Sequence, residues 1–111
     1  MTAGILTFQF KADQMKQGME IWNATMKLLP QNAKGIKGTV LLTQAQTGKC
    51  LSIGFWENAA DSNAFGASNF CREFMNRMQP LCVAPPTREQ FDVSGGDLSA
   101  IQAIQGRMAA A

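Results

Sequence analysis

A helix-period apolar stripe lying between segments that alternate like strands limits what this chain can become. Behind Asp13, the residues Met15, Met19, Trp22, Met26 and Leu29 recur every three or four positions, so one face of a helix is apolar along its length. Asp13 stands where an N-cap belongs, and Pro30 predicts the helix end. Residues 5–10 ahead of it alternate, with Leu6, Phe8 and Phe10 on one side and Thr7 and Gln9 on the other. Two strand-like runs follow, over residues 37–45 and 50–57. The link Gln46-Thr47-Gly48-Lys49 supplies a glycine for a positive φ, which predicts a hairpin.

Asn58 then opens a second helical stretch, and Asp61 suits its positive end. A break is expected near Gly66-Ala67-Ser68-Asn69, after which Phe70, Phe74 or Met75, and Met78 form another stripe that Pro80 ends. Residues 87–93 read as a last strand, with Phe91 and Val93 inward and Arg88, Gln90 and Asp92 opposite. The order β-α-β-β-α-β leads to an α+β fold: a split βαβ sandwich with a four-stranded antiparallel sheet and both helices on one face. In the second hairpin strand Leu51, Ile53 and Phe55 are expected to face the helices. The uncovered face would then carry Thr7, Gln9, Ser52, Gly54, Trp56, Arg88 and Gln90. A bare β-face with a Trp on it is an interaction surface, and a two-fold homodimer is the simplest cover.

The chain has 111 residues, enough for one domain over residues 1–94 and a tail over 95–111. Gly95-Gly96 marks the joint. Beyond it Leu98, Ile101, Ile104, Gln105 and Met108 keep helical spacing, so the tail reads as a short helix or as a frayed Ala-rich end. A net charge of +2 without a Lys/Arg cluster gives no footprint for nucleic acid. No apolar run is long enough for a membrane span, and the first residues lack the pattern of a signal peptide, so a cytoplasmic protein is expected. The chain has no His, which removes His-based acid–base catalysis, Ser-His-Asp triads and His metal sites. It also has no Tyr. Cys50, Cys71 and Cys82 lack a C-x-x-C spacing and read as reduced, buried thiols, with Arg72 the only cation adjacent to one of them.

Several segments together carry a resemblance. Gly35-Ile36-Lys37-Gly38, Thr47-Gly48-Lys49, the run from Leu51 through Phe55-Trp56-Glu57-Asn58 to Asp61, and Pro85-Pro86-Thr87-Arg88-Glu89 resemble the antibiotic biosynthesis monooxygenase domain family. The resemblance spans about residues 3–94. It implies a ferredoxin-like domain closing as a dimeric α/β barrel, and an activity drawn from cofactor-independent oxygenases on polycyclic aromatic quinols, haem-degrading enzymes, or members without known activity. Trp56 matches the strand-end Trp that faces the cavity in the oxygenase members. Their Asn four residues earlier is Ser52 here, their Tyr at the second helix has no counterpart, and their Arg there could be met by Arg72 or Arg77. Haem degradation is disfavoured because its axial ligand is a His.

A cofactor-free oxygenase needs only placement, an anion-stabilising donor and a dry pocket, because the substrate anion itself reduces dioxygen. By that standard Trp56 would be an aromatic wall, Gln9 and Ser52 donors, and Arg88 the partner of the anion, with a small apolar or aromatic ligand as partner and no cofactor or metal. The competing reading has Trp56 plugging the barrel, Ser52 as a spacer and Arg88 paired with Asp92 or Glu89, in a non-catalytic ligand-binding or scaffold protein. Cavity volume separates the two, since an aromatic substrate needs about 300 Å³ or more.

Overall fold

The computed structural model describes residues 1–97 and Ser99. The tail helix expected beyond Gly96 therefore lies almost entirely outside the described residues. The elements run β1 (Thr2–Gln9), α1 (Met15–Asn32), β2 (Ile36–Gln44), β3 (Lys49–Trp56), α2 (Ala59–Gly66), α3 (Asn69–Met78), a 3₁₀ turn at Gln79–Leu81, and β4 (Thr87–Asp92). The strands form one sheet in the order β2-β3-β1-β4, every neighbour antiparallel, which is the ferredoxin-like α+β arrangement expected. Gly48 takes φ +78° in the hairpin turn, as the link predicted.

The second helical stretch is two helices. Asn58 Oδ1 accepts from the Asp61 N–H at 2.8 Å, and Ser68 Oγ accepts from the Cys71 N–H at 3.1 Å, so each helix has its own side-chain cap. Two helix-end expectations are corrected. Asp13 does not cap α1: it takes φ +67° in the tight β1–α1 turn, and the helix begins beyond it with Gln14 at the cap position. Asp tolerates that left-handed conformation better than most residues. Pro30 does not stop α1 either: the helix runs two residues beyond it, and the proline forgoes only the one bond that its own N–H would have made to the Met26 carbonyl. Beyond the proline, Asn32 Nδ2 donates back to the Leu28 carbonyl one turn earlier, at 2.8 Å.

The core packs β1 and β3 against α1 and α3. Phe8, Phe10, Trp22, Cys50, Phe74, Met78 and Cys82 form one buried cluster. Phe8 stacks beside Phe10 at 5.8 Å and meets the edge of Phe74 at 6.1 Å. Fully burying a ring such as Phe8 is worth about 1.5–3 kcal/mol. Gly18 admits the Phe10 ring against α1: a Cβ there would stand 2.5 Å from its Cε1.

Cross-strand register overturns the expected phases of β3 and β4. Phe8 pairs with Cys50, Leu6 with Ser52, Gly4 with Gly54 and Thr2 with Trp56. Residues directly opposite in an antiparallel pair share a face, so Phe8 on the helix side puts Cys50, Ser52, Gly54 and Trp56 there too. On the other edge Leu6 pairs with Arg88 and Gly4 with Gln90, which sends Arg88 and Gln90 under the helices as well. The bare face instead holds Ala3, Ile5, Thr7, Gln9, Val40, Leu51, Ile53, Phe55 and Phe91. Along β3 the bulky Leu51, Ile53 and Phe55 lie outward, and the small Cys50, Ser52 and Gly54 face inward to make room for two indoles.

Candidate functional site

The space under the helices begins with glycine. Gly4 and Gly54 are cross-strand partners at the centre of the sheet, and the indole of Trp56 folds back over both. A Cβ on Gly54 would lie 3.0 Å from Trp56 Nε1, and one on Gly4 would lie 3.5 Å from it. Only residues without side chains let the ring lie this close to the sheet. Phe65, at the end of α2, faces Trp56 at 5.0 Å between ring centroids, and Phe70 follows Phe65 at 6.4 Å. Trp56 is 3% exposed, whereas Phe65 is half-buried.

Between these rings and the helices lies a cavity of about 40 Å³. Gly4, Leu6, Ser52, Gly54, Trp56 and Arg88 line it from β1, β3 and β4, and Met26, Leu29, Ser62, Phe65, Cys71 and Phe74 from the helices, with Thr39 on β2. Of the six residues expected to form a site, Ser52, Gly54, Trp56 and Arg88 therefore come together. Thr7 and Gln9 do not, because their odd positions on β1 put them on the opposite face of the sheet. Gln9 Nε2 donates to the Thr47 carbonyl and is spent on the hairpin turn.

Ser52 has a structural bond as well as a place on the lining: its oxygen accepts one hydrogen bond, which leaves its own O–H to donate. The buried Trp22 Nε1–H donates to its Oγ at 2.8 Å, which ties α1 to the middle of β3. Arg88 behaves differently. Its Nη2 donates to the Ser62 Oγ at 2.9 Å, the Ser62 carbonyl at 3.1 Å and Gln90 Oε1 at 3.2 Å. Among the described residues the ion pair is Lys37 with Glu57, at 2.6 Å, so Arg88 is bridged to neither Asp92 nor Glu89. The pairing also turns Glu57, next to Trp56 in the sequence, away from the cavity. Arg72 does not line the cavity, and Arg77 Nη2 donates to Thr25 Oγ1 at 3.2 Å, joining α3 to α1.

Cys71 also lines the cavity. The cation acting on its thiol is Arg88, not the adjacent Arg72; burial pushes the thiol up, and Arg88 pulls it partly back. Burial outweighs the charge, so the thiol stays protonated near neutrality. Among the described residues the lining contains no carboxylate, amine or imidazole. Gly4, Ser62 and Phe65 escaped sequence reasoning, although the register of Phe8 against Cys50 would have placed Gly4 opposite Gly54. No group of three or more His, Cys, Asp or Glu suited to a metal ion occurs among the described residues. No helix among them is long and apolar enough to cross a membrane.

No family model matches the chain, and no curated protein matches it in sequence. Solved structures do match. An antibiotic biosynthesis monooxygenase is 11% identical with a TM-score of 0.70, over 86% of this chain and 100% of that one. Rv0793 from Mycobacterium tuberculosis is 13% identical with a TM-score of 0.71, over 86% and 96%. The protein NE2512 of unknown function from Nitrosomonas europaea is 14% identical with a TM-score of 0.73, over 87% and 92%. The resemblance read in the sequence and the likeness of backbone agree on the fold. At these identities the likeness carries the fold alone, and function has to be argued from the site.

Proposed function

We propose that this chain is a cofactor-independent monooxygenase-like protein, binding a small aromatic molecule in the sheet–helix cavity and working as a homodimer. The observation that carries the reading is the pairing of an aromatic wall with a lone cation. Trp56 and Phe65 offer ring faces, and among the described residues Arg88 is the one cation on the lining. Such a site can hold a flat substrate, favour its ionised form and keep water from the reacting carbon. The protein supplies no strong base there, so the substrate has to be acidic enough to ionise with Arg88 beside it. Its anion then delivers the reducing electrons to dioxygen.

The dimer rests on the bare face. Ile5, Val40, Leu51, Ile53 and Phe55 lie on it, with Phe91 at 51% exposure and Leu42 at 49%. A contiguous apolar surface of this kind favours association, and a second copy meets it with the same surface.

The size of the cavity favours a second reading. About 40 Å³ is far below the roughly 300 Å³ that a drug-sized ligand fills. A protein that kept this closed form would be a non-catalytic barrel, and catalysis requires Phe65 to swing aside with the end of α2. Oxygen uptake with a panel of anthrone-like and quinol substrates, run with a metal chelator present, separates the two. Uptake that depends on substrate and is lost in Trp56→Ala supports the oxygenase. No uptake with any member of the panel leaves the barrel reading.

A further inference from the structure

We infer that the cavity selects a ring compound bearing a terminal carboxylate-like anion, met by Arg88, and that Ser62 is the residue that positions the guanidinium. The inference rests on the proposed aromatic site and adds the charge of its ligand.

Three observations lead there. First, every hydrogen bond of the guanidinium described above leaves from Nη2 and ends on a neutral acceptor. The Nε–H and the Nη1 hydrogens are not used in these bonds, and an arginine has five donors in a flat fork. Second, among the described residues no acid on the lining competes for that charge. A cation at an apolar cavity with neutral partners keeps its capacity for a charge-assisted bond, which is about twice as strong as a neutral one. Third, the fork is held by the fold. Ser62 is 1% exposed in α2 and grips Nη2 through both its carbonyl and its hydroxyl. Gly66, one turn on, leaves the guanidinium room: a Cβ there would lie 3.3 Å from Cζ. The same arginine holds α2, and with it Phe65, over Trp56. Once Phe65 swings aside, as the proposed site requires, an anion engaging the open side of the fork would sit beside the aromatic wall, with its ring toward Trp56.

The test uses two isosteres, benzoate and benzamide, titrated into the full-length protein and followed by the indole N–H signal of Trp56 in nuclear magnetic resonance. Benzoate is expected to bind roughly 10- to 100-fold more tightly than benzamide. Arg88→Gln should erase that preference, read as the ratio of the two affinities so that any loosening of α2 common to both compounds drops out, and Arg88→Lys should restore part of it, since the charge returns without the fork. Ser62→Ala should weaken benzoate more than benzamide. Equal affinities in the natural chain, or a preference that survives Arg88→Gln, overturn the inference while the aromatic site stands. Failure of both compounds to bind overturns the inference together with the reading beneath it. Arg88 sits on an edge strand whose residues are all exposed, and Arg88→Lys supplies a folded comparison should Arg88→Gln disturb β4.

Discussion

Gly54→Ala separates the cavity's role in folding from its role in binding. The added methyl would lie 3.0 Å from Trp56 Nε1 and 3.5 Å from Cε2, so the indole has to retreat by a few tenths of an ångström. Overpacking a rigid core costs about 1–3 kcal/mol. This indole has about 40 Å³ of free space on one side and a half-buried ring on the other, which puts the cost near the lower end. Gly54 does not have a positive φ, so alanine fits its backbone. Alanine also recovers about 0.4–1 kcal/mol by restricting the unfolded chain. The two contributions nearly cancel, and the expected net change is a loss of about 0.5 kcal/mol or less. Binding should respond far more, because the methyl takes part of the same free space: benzamide affinity should fall roughly tenfold or more, equivalent to about 1.4 kcal/mol. Urea melts and the Trp56 indole signal measure both quantities on one sample. A stability loss above about 2 kcal/mol would show an indole that cannot yield, contrary to the low-end cost assumed here. Unchanged benzamide affinity would place the ligand away from Gly54.

Four further outcomes are expected. Gly18→Ala should destabilise by about 2 kcal/mol or more in urea melts, because its methyl meets the buried Phe10 ring; a change near zero would show that α1 can shift freely. Ser52→Ala should cost about 1–3 kcal/mol by leaving the buried Trp22 N–H without its acceptor, and a neutral effect would remove that bond from the stability of the fold. Ile53→Asp, in the middle of the bare face, should turn a sedimenting dimer into a monomer with unchanged circular dichroism. A natural chain that sediments as a monomer at micromolar concentration would count against the dimer.

The fourth outcome concerns pH. Burial pushes the thiols of Cys50, Cys71 and Cys82 up, the charge of Cys82 adding to the effect on Cys50. The folded chain then keeps protons that the unfolded chain releases. This stability is complete below the ordinary thiol pKa of about 8.5 and is lost as pH rises past it. The urea midpoint should fall across that range, and one that holds steady to about pH 10 would contradict the burial of the thiols.

Element order was legible in the sequence because period and punctuation agreed: the α1 stripe, the Gly48 hairpin and the Gly66–Asn69 break each used a local signal. Strand phase was legible in and just after β1, where Leu6, Phe8 and Phe10 do face the helices, but not in β3 or β4, and the reason lies in particular residues. In β3, Leu51, Ile53 and Phe55 are the apolar set, and the usual reading turns such a set toward the helices. Here the helix side had to admit Trp56 and Trp22, so Gly54 and Ser52 occupy it, while the apolar set faces away from the helices. The pairing of Phe8 with Cys50 decides the matter, and pairing is a long-range property that one strand's pattern does not carry. The same inversion brought Arg88 into the cavity and left Thr7 and Gln9 outside. The two ends of α1 differed for a smaller reason, since Asp13 took up a turn and Pro30 was carried within the last turn, whereas Asn58 capped α2 as its type suggests.

The bond from Trp22 to Ser52 has an optical consequence. The chain contains two tryptophans and no tyrosine, so its near-ultraviolet emission comes from these two indoles. One ring lines the cavity directly, and the other touches it only through a serine hydroxyl. Comparing single-tryptophan versions would distinguish a guest that contacts the first ring from a disturbance relayed to the second, with no dye attached to the molecule.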